Sequence, residues 1–232
     1  MSLRAALTLH ALALHPRPLE VPVNQLVLAG WTGRDQAAIE AHVREMKQWG
    51  VAAPAQTPMF YRVASSLLTT ASEIEVIGRD SSGEVEFLLF NLDGAILVGA
   101  GSDHTDRKAE AAGITLAKQL CAKVAAPNVW LFSEVENHWD DLILRSWATI
   151  DGARMLYQEG KVAGMRHPRE LMALYRDRTG LDFGPGFAMY GGTLAAIGGI
   201  RWADEFEFAL EDPVLHRSIA HRYRMKSLPV EG

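Results

Sequence analysis

Apolar and polar positions alternate along much of this chain, in short runs bounded by glycine, proline or aspartate. That pattern predicts β-strands. Leu7 and Leu9 fall on one face of an opening strand, and Thr8 and His10 break the apolar stretch a secretory leader would need. Prolines hold residues 17–23 extended. Gln25–Gly30 reads as a buried strand, and Gly33-Arg34-Asp35 then opens a helix to about Gln48. Ala37, Ile39, Val43 and Met46 are spaced helically there, and Gly50 ends it. Residues 51–58 hold two prolines and read as a loop. The region 73–103 is β-rich, and 105–121 reads as a helix with Ile114, Ala117 and Leu120 on one stripe. Short strands are expected at 130–132, 141–148 and 154–160, the last two joined by an Asp151-Gly152 turn. Pro168 starts a helix over 169–178, and from 184 to 229 glycine-rich turns separate further strands. There is no linker, repeat or low-complexity segment. The expectation is one domain over 1–232, mainly β with a few peripheral helices, in which 1–25 form an N-terminal β-extension.

The most informative pattern lies between Gly83 and Asp103. Two apolar runs flank Asp93-Gly94, a strong signal for a two-residue hairpin loop. With that loop, Leu92 faces Ala95, Leu88 faces Gly99, Glu86 faces Gly101 and Glu84 faces Asp103. Strand side chains alternate and opposed residues share a face, so the register gathers Glu84, Glu86 and Asp103 on one side. Gly101 leaves room beside Glu86. Three carboxylates so close repel one another unless a positive charge sits among them, and a hard divalent cation suits oxygen ligands. The same face continues with Leu88 and Phe90, and Val85, Phe87 and Leu89 fill the other, as in a strand buried on both sides. A solvated, acidic strand edge is the alternative, and the pattern leaves both open.

Composition narrows the function classes. The chain has 232 residues, 48% hydrophobic and 22% charged, with a formal net charge of −5. Those values suit a globular protein and lack the basic footprint of a nucleic-acid binder. No apolar run approaches the roughly 18 residues of a spanning helix. The single cysteine, Cys121, has no partner for a disulfide, so a reducing, cytoplasmic setting is expected. Cys121 also lacks a nucleophile signature and reads as an inert buried thiol between Lys118 and Lys123. Ser102, Asp103 and Thr105 can cap a helix as well as line a site. The glycines of 184–199 match neither a dinucleotide nor a phosphate loop. The eight histidines show no zinc spacing.

In order along the chain, several segments resemble the fumarylacetoacetate hydrolase superfamily, as a divergent bacterial branch. Leu28-Ala29-Gly30-Trp31-Thr32-Gly33-Arg34-Asp35-Gln36-Ala37-Ala38 resembles its early Gly-Leu-Asn-Tyr-x-x-His segment, and Pro58-Met59-Phe60-Tyr61-Arg62 its Pro-x-Phe-x-Lys. Glu84-Val85-Glu86 matches the metal-binding Glu-x-Glu, and Ser102-Asp103-His104-Thr105-Asp106-Arg107 resembles the Asn-Asp-x-x-x-Arg that carries the third ligand. Leu116-Ala117-Lys118 resembles the lysine segment, and Pro185-Gly186 through Gly192-Thr193 the closing Pro-Gly-Asp-x-x-x-x-Gly-Thr. The family histidine used as a base falls on Gln36, with His42 in the same expected helix, which puts hydrolysis by a histidine-activated water in doubt.

The resemblance implies a β-roll of mixed sheets, and Mg²⁺ or Mn²⁺, with Ca²⁺ an alternative, on Glu84, Glu86 and Asp103. It implies a hydrolase or lyase acting on a small 2-oxo or acylpyruvate-type acid through an enolate. Lys118 and Arg107 would be catalytic, and Tyr61, Arg62, Gln36, Gly192 and Thr193 would bind substrate. It further implies a homodimer, with neither nucleic acid nor membrane as partner. A hydratase or isomerase of a 2-oxo acid, a non-catalytic acid-binding protein that keeps the pocket, and a metal-free sugar-binding β-domain are alternatives. Replacing Asp103 by alanine is expected to abolish ion binding with little loss of fold.

Overall fold

The computed structural model describes residues 5–11, 18–48 and 52–231, excluding the side chains of Ala5, His42, Glu45, Met46 and Gln48. Gly50, the expected helix stop, lies outside the described residues. Strands dominate, as the alternation predicts. The first run is β1 (Ala5–Ala11), β2 (Leu19–Val23), β3 (Gln25–Gly30), helix α1 (Gln36–Gln48) and β4 (Met59–Val63). Then follow β5 (Leu68–Thr69), β6 (Glu73–Ile77), β7 (Ser81–Ser82), β8 (Val85–Leu92), β9 (Ala95–Asp103) and β10 (Thr105–Asp106). After α2 (Ile114–Gln119) come β11 (Lys123–Ala125), β12 (Asn128–Leu131), α3 (Phe132–Val135), β13 (Ile143–Ile150) and β14 (Ala153–Lys161). The chain closes with α4 (Pro168–Thr179), β15 (Phe187–Tyr190), β16 (Glu205–Asp212) and β17 (Arg217–Leu228).

Two large mixed sheets form. One runs β2-β1-β12-β9-β8-β15-β3-β4, with β11 beside β9 and β5 beyond it; the other runs β14-β13-β16-β17-β6. The first sheet curls around its own apolar face, where Leu7, Leu9, Leu26, Leu28, Leu88, Phe90 and Tyr190 pack. Its other face carries Val27, Val85, Phe87 and Leu89 onto Tyr157, Phe206 and Phe208 of the second sheet and onto Trp139. Strand β8 is therefore buried on both faces, as its doubly apolar pattern indicates. Burying polar side chains on such a strand requires partners for them, since an unpaired buried charge is costly.

The helices depart most from expectation. α1 is capped by Asp35, whose carboxylate accepts from the backbone N–H groups of Ala37 and Ala38. Of its expected apolar stripe Ile39 is buried, Ala37 is exposed and Val43 is half-buried. The single helix expected over 105–121 is not formed. Thr105 and Asp106 pair with Ser82 and Ser81, a 3-10 turn spans Ala109–Ala111, and α2 has one and a half turns. Gly113, at φ 150°, stops the chain from continuing helically. Leu120 is exposed rather than on a buried stripe. A second unexpected turn-rich stretch, α3 and a 3-10 segment over Glu136–Asp141, buries Phe132 and Trp139. Among the described residues, no helix is long and apolar enough to cross a membrane.

Candidate metal centre

The β8–β9 hairpin has the expected register. Leu92 pairs with Ala95, Leu88 with Gly99 and Glu86 with Gly101, and the Asp103 N–H donates to the Glu84 carbonyl at 3.0 Å. Asp93 and Gly94 form the loop at φ 50° and 96°, the left-handed conformation a tight hairpin turn demands. Alternation then does what it must. One carboxylate oxygen from each of Glu84, Glu86 and Asp103 lies within 4.8 Å of the other two. Gly101 leaves no void beside Glu86, contrary to expectation. The Tyr190 ring fills that space, so a Cβ there would lie 2.6 Å from Tyr190 Cε1 and 2.9 Å from the Val124 carbonyl.

Cations surround two of the three carboxylates. Lys118 Nζ donates to Asp103 Oδ2 and lies 3.4 Å from Glu84 Oε2. Lys123 Nζ, fully buried, is 2.9 Å from Asp103 Oδ1 and donates to the His104 carbonyl. Arg107 is 3.1 Å from both Glu84 Oε1 and Glu110 Oε1, and its Nε donates to Ser82 at 2.7 Å. Glu86 has no such partner among the described residues; it accepts one hydrogen bond, from the Gly192 N–H at 2.7 Å.

The protonation equilibria follow these neighbours. Burial works against the Asp103 carboxylate, but the two ammonium groups outweigh it and pull it down to about 2. Burial raises Glu84 too, and Arg107 with Lys118 more than reverses that. Burial pushes Glu86 well above the usual carboxylate range, and the charges of Asp103 and Glu84 push it further. Burial opposes the charge on Lys118, yet Asp103, Glu84 and Glu86 hold it protonated, above its ordinary value. Lys123 is depressed by its burial. His104, buried between Ser81 and Tyr223, is lowered to about 3 by burial and by Lys123, so it is a neutral structural hydrogen-bonder. Cys121 is buried and its thiol is raised to about 11 by that burial, which makes it inert.

Glu84 and Glu86 line a cavity of about 380 Å³, and Asp103, 1% exposed, is not among its lining residues. Glu84, Glu86, Arg107, Lys118, Tyr61, Gly192 and Thr193 all line it. Gly192 brings its backbone N–H onto Glu86 at φ 102°, and a Cβ there would strike Thr32 Oγ1 at 1.9 Å. Thr193 donates to the Val85 carbonyl and accepts from Gln158 Nε2, so it fixes the loop against β8. The donor set, three converging carboxylates with Glu86 lacking any cation, fits a hard divalent ion.

A family profile described as a protein of unknown function, DUF2848, matches residues 29–223. The chain belongs to that family. No curated protein matches it by sequence. Among solved structures, a protein of Oleispira antarctica assigned as a fumarylacetoacetate isomerase/hydrolase superposes with a TM-score of 0.69. It is 17% identical, over 96% of this chain and 100% of its own. A 2-keto-3-deoxy-D-arabinonate dehydratase complexed with magnesium and 2,5-dioxopentanoate gives 0.63, at 12% identity over 92% and 78%. The 4-oxalocrotonate decarboxylase of Pseudomonas putida G7, complexed with magnesium and adipate, gives 0.56, at 14% identity over 86% and 77%. This DUF2848 chain therefore has the fold of fumarylacetoacetate hydrolase-like proteins, whose solved members include magnesium-bound enzymes.

Two residues proposed from sequence lie elsewhere. Gln36 is exposed on α1 and reaches Glu40; Asp35, Ala38 and Ile39 of the same segment line the cavity instead. Arg62 points away toward the Tyr175 hydroxyl, because its strand neighbour Tyr61 points in and alternation sends the two to opposite faces. The side chain of His42 is outside the described ones. Trp31, named from sequence only within the early segment, and Glu110, in no motif, also line the cavity. The separation within 4.8 Å is one that a single ion can bridge, so the wide spacing that would have supported the sugar-binding alternative is not found. Asp103 holds two buried lysines, so its replacement by alanine cannot leave the fold untouched.

Proposed function

We propose that this chain is a divalent-metal-dependent hydrolase or lyase acting on a small 2-oxo or acylpyruvate-type acid through an enolate. The observation that carries the reading is the convergence of Glu84, Glu86 and Asp103, the first two of which line a ligand-sized cavity. The fold's magnesium-bound dehydratase and decarboxylase relatives support it. Mg²⁺ or Mn²⁺ held by the three carboxylates would act as a Lewis acid on the substrate's 2-oxo and carboxylate oxygens.

The chain's own groups supply the rest. Lys118, kept protonated by its carboxylate neighbours, faces the cavity as a fixed positive charge for the developing enolate oxygen. Because it is held protonated, it serves as an electrostatic donor and not as a base. Arg107 bridges Glu84 and Glu110, so it orients both. Gly192 aims Glu86 through its N–H. Tyr61 presents a neutral hydroxyl that accepts from Trp31 Nε1 at 3.2 Å, with burial keeping its proton on. No imidazole lines the cavity among the described side chains, which supports lyase chemistry over hydrolysis by a histidine-activated water. That same observation favours the second reading, a small-acid-binding protein without turnover. A homodimer and a carboxylic acid ligand belong to the proposal.

Calorimetric titration of the wild type with Mn²⁺ and Mg²⁺ tests it. Ion binding is expected, with Glu86→Gln weakening it by about tenfold or more. No binding by the wild type overturns the proposal. If ions and oxalate bind, decarboxylation of oxaloacetate or cleavage of an acylpyruvate selects the enzyme, and no turnover across such a panel selects the binding protein.

A further inference from the structure

Resting on that reading, we infer that the substrate carries one carboxylate, at its 2-oxo end, and an uncharged apolar tail. The cavity lining is of two kinds. Glu84, Glu110, Arg107 and Lys118 are linked by ion pairs, with Glu86 beside Glu84, so carboxylates outnumber cations. Much of the rest of the wall is apolar, built from Trp31, Ile39, Ile114, Met165, Leu194 and Ile200, with Thr32, Asp35, Tyr61 and Thr193 among them.

Both cations are already committed to carboxylates of the protein. Beyond them, no lysine or arginine lines the cavity among the described residues, and the remaining charged group is an anion, Asp35. Arginines near in sequence are turned elsewhere. Arg34 is spent on Asp140 and the Met165 carbonyl, Arg62 on Tyr175, and Arg201 on the Ile197 and Gly199 carbonyls. A second carboxylate laid along this wall would lose water, gain no cation and face acidic neighbours. A hydrocarbon tail instead gains about fourfold in affinity for each methylene buried. These six apolar residues thereby set specificity for the substrate's tail.

The test is a matched pair of six-carbon acids, 2-oxohexanoate and 2-oxoadipate, which differ in the terminal carboxylate. Binding is titrated in saturating Mg²⁺, with oxalate, which has no tail, as the probe of the charged groups. Wild type is expected to bind oxalate, and to prefer 2-oxohexanoate to 2-oxoadipate by about tenfold or more. Ile200, 47% exposed, tolerates a charged replacement, and Ile200→Arg is expected to collapse or reverse that preference with oxalate affinity retained. Oxalate binding without preference for the monocarboxylate, or a preference that Ile200→Arg leaves unchanged, overturns the inference and leaves the proposed function standing. Failure of oxalate and both acids to bind overturns both.

Discussion

The Asp103 side and the Glu86 side of the carboxylate cluster are buried alike, at 1% and 3% exposure, but are built from different parts. Asp103 ends β9 and meets two lysines, one from α2 and one from β11. Glu86 sits within β8 and meets one backbone N–H from the loop after β15. The first side is electrostatically closed, and its carboxylate is held down to about 2. The second is open, and its carboxyl is driven well above its ordinary range by burial and neighbouring charge. One cluster thus contains a carboxylate that structures the protein and a carboxyl group that lacks a counter-charge. The difference teaches which ligand an ion would complete and which it would only share.

The largest expected effect breaks this asymmetry from the closed side. Asp103→Asn leaves two buried ammonium groups facing a neutral amide, and should cost about 3–5 kcal/mol. Glu86→Gln keeps the shape and the Gly192 hydrogen bond, and should change stability in chelator at pH 5 by about 1 kcal/mol or less. Urea denaturation of both variants checks this. Equal losses would mean that Asp103 is no more structural than Glu86.

Adding the ion should raise the cost of Glu86→Gln. At an ion concentration of 100 times Kd, wild type gains about 2.7 kcal/mol, and Glu86→Gln should gain little of it. The pH dependence in chelator sharpens the same point. Asp103, lowered from 3.8 to about 2, contributes stability above pH 3.8 that is lost as the pH falls toward 2. Glu86 is shifted upward from 4.5, so its contribution is complete below pH 4.5 and disappears as the pH climbs through its raised folded value. His104, lowered from 6.5 to about 3, loses stability as the pH falls below 6.5 and so opposes Glu86. Both proteins share His104, so the difference between them isolates Glu86. Glu86→Gln should therefore gain on wild type as the pH rises from about 5 to 8. A flat difference in urea midpoints would remove the claim that Glu86 is strained.

A smaller effect is expected where the two sides meet. Gly101 pairs with Glu86 across β8 and with Ala125 across β11. Gly101→Ala must displace the Tyr190 ring, whose hydroxyl donates to the Val124 carbonyl, at about 1–3 kcal/mol. A thermal shift assay in chelator and in Mn²⁺ should show destabilisation in both.

The hairpin was readable because its information is local. Asp93-Gly94 sets the turn, the turn sets the register, and alternation carries three carboxylates to one face. The segment that follows was not, because its partners are remote. Thr105 and Asp106 take their conformation from Ser81 and Ser82, His104 from Tyr223, and Arg107 from Glu84 and Ser82. Helical spacing of Ile114, Ala117 and Leu120 says nothing about those contacts, and only Ala117 among them is buried. Lys118 and Lys123 bracket Cys121 in sequence and converge on Asp103 in space, because β11 pairs with β9 and sets Lys123 opposite Asp103. Likewise Trp31, at φ 60° beyond the end of β3, enters the cavity through a backbone turn that no periodicity announces.

The smallest expected effect tests the placement of neighbours on β4. Tyr61 lines the cavity, and Arg62, one residue on, is exposed and reaches Tyr175 at 3.3 Å. An arginine beside the site in sequence is an obvious candidate to hold a substrate carboxylate. Strand alternation assigns that side chain to the opposite face, where its loss removes one long, half-buried hydrogen bond. Arg62→Ala should therefore change stability by less than about 0.5 kcal/mol and leave oxalate affinity within about twofold. Tyr61→Phe removes the hydroxyl from the cavity wall and the acceptor of Trp31 Nε1, and should weaken oxalate by more than Arg62→Ala does. If calorimetry ranks them the other way, the guanidinium swings around the strand edge to the ligand. The charged groups of the cavity would then include a third cation, and a second carboxylate on the substrate would have somewhere to go.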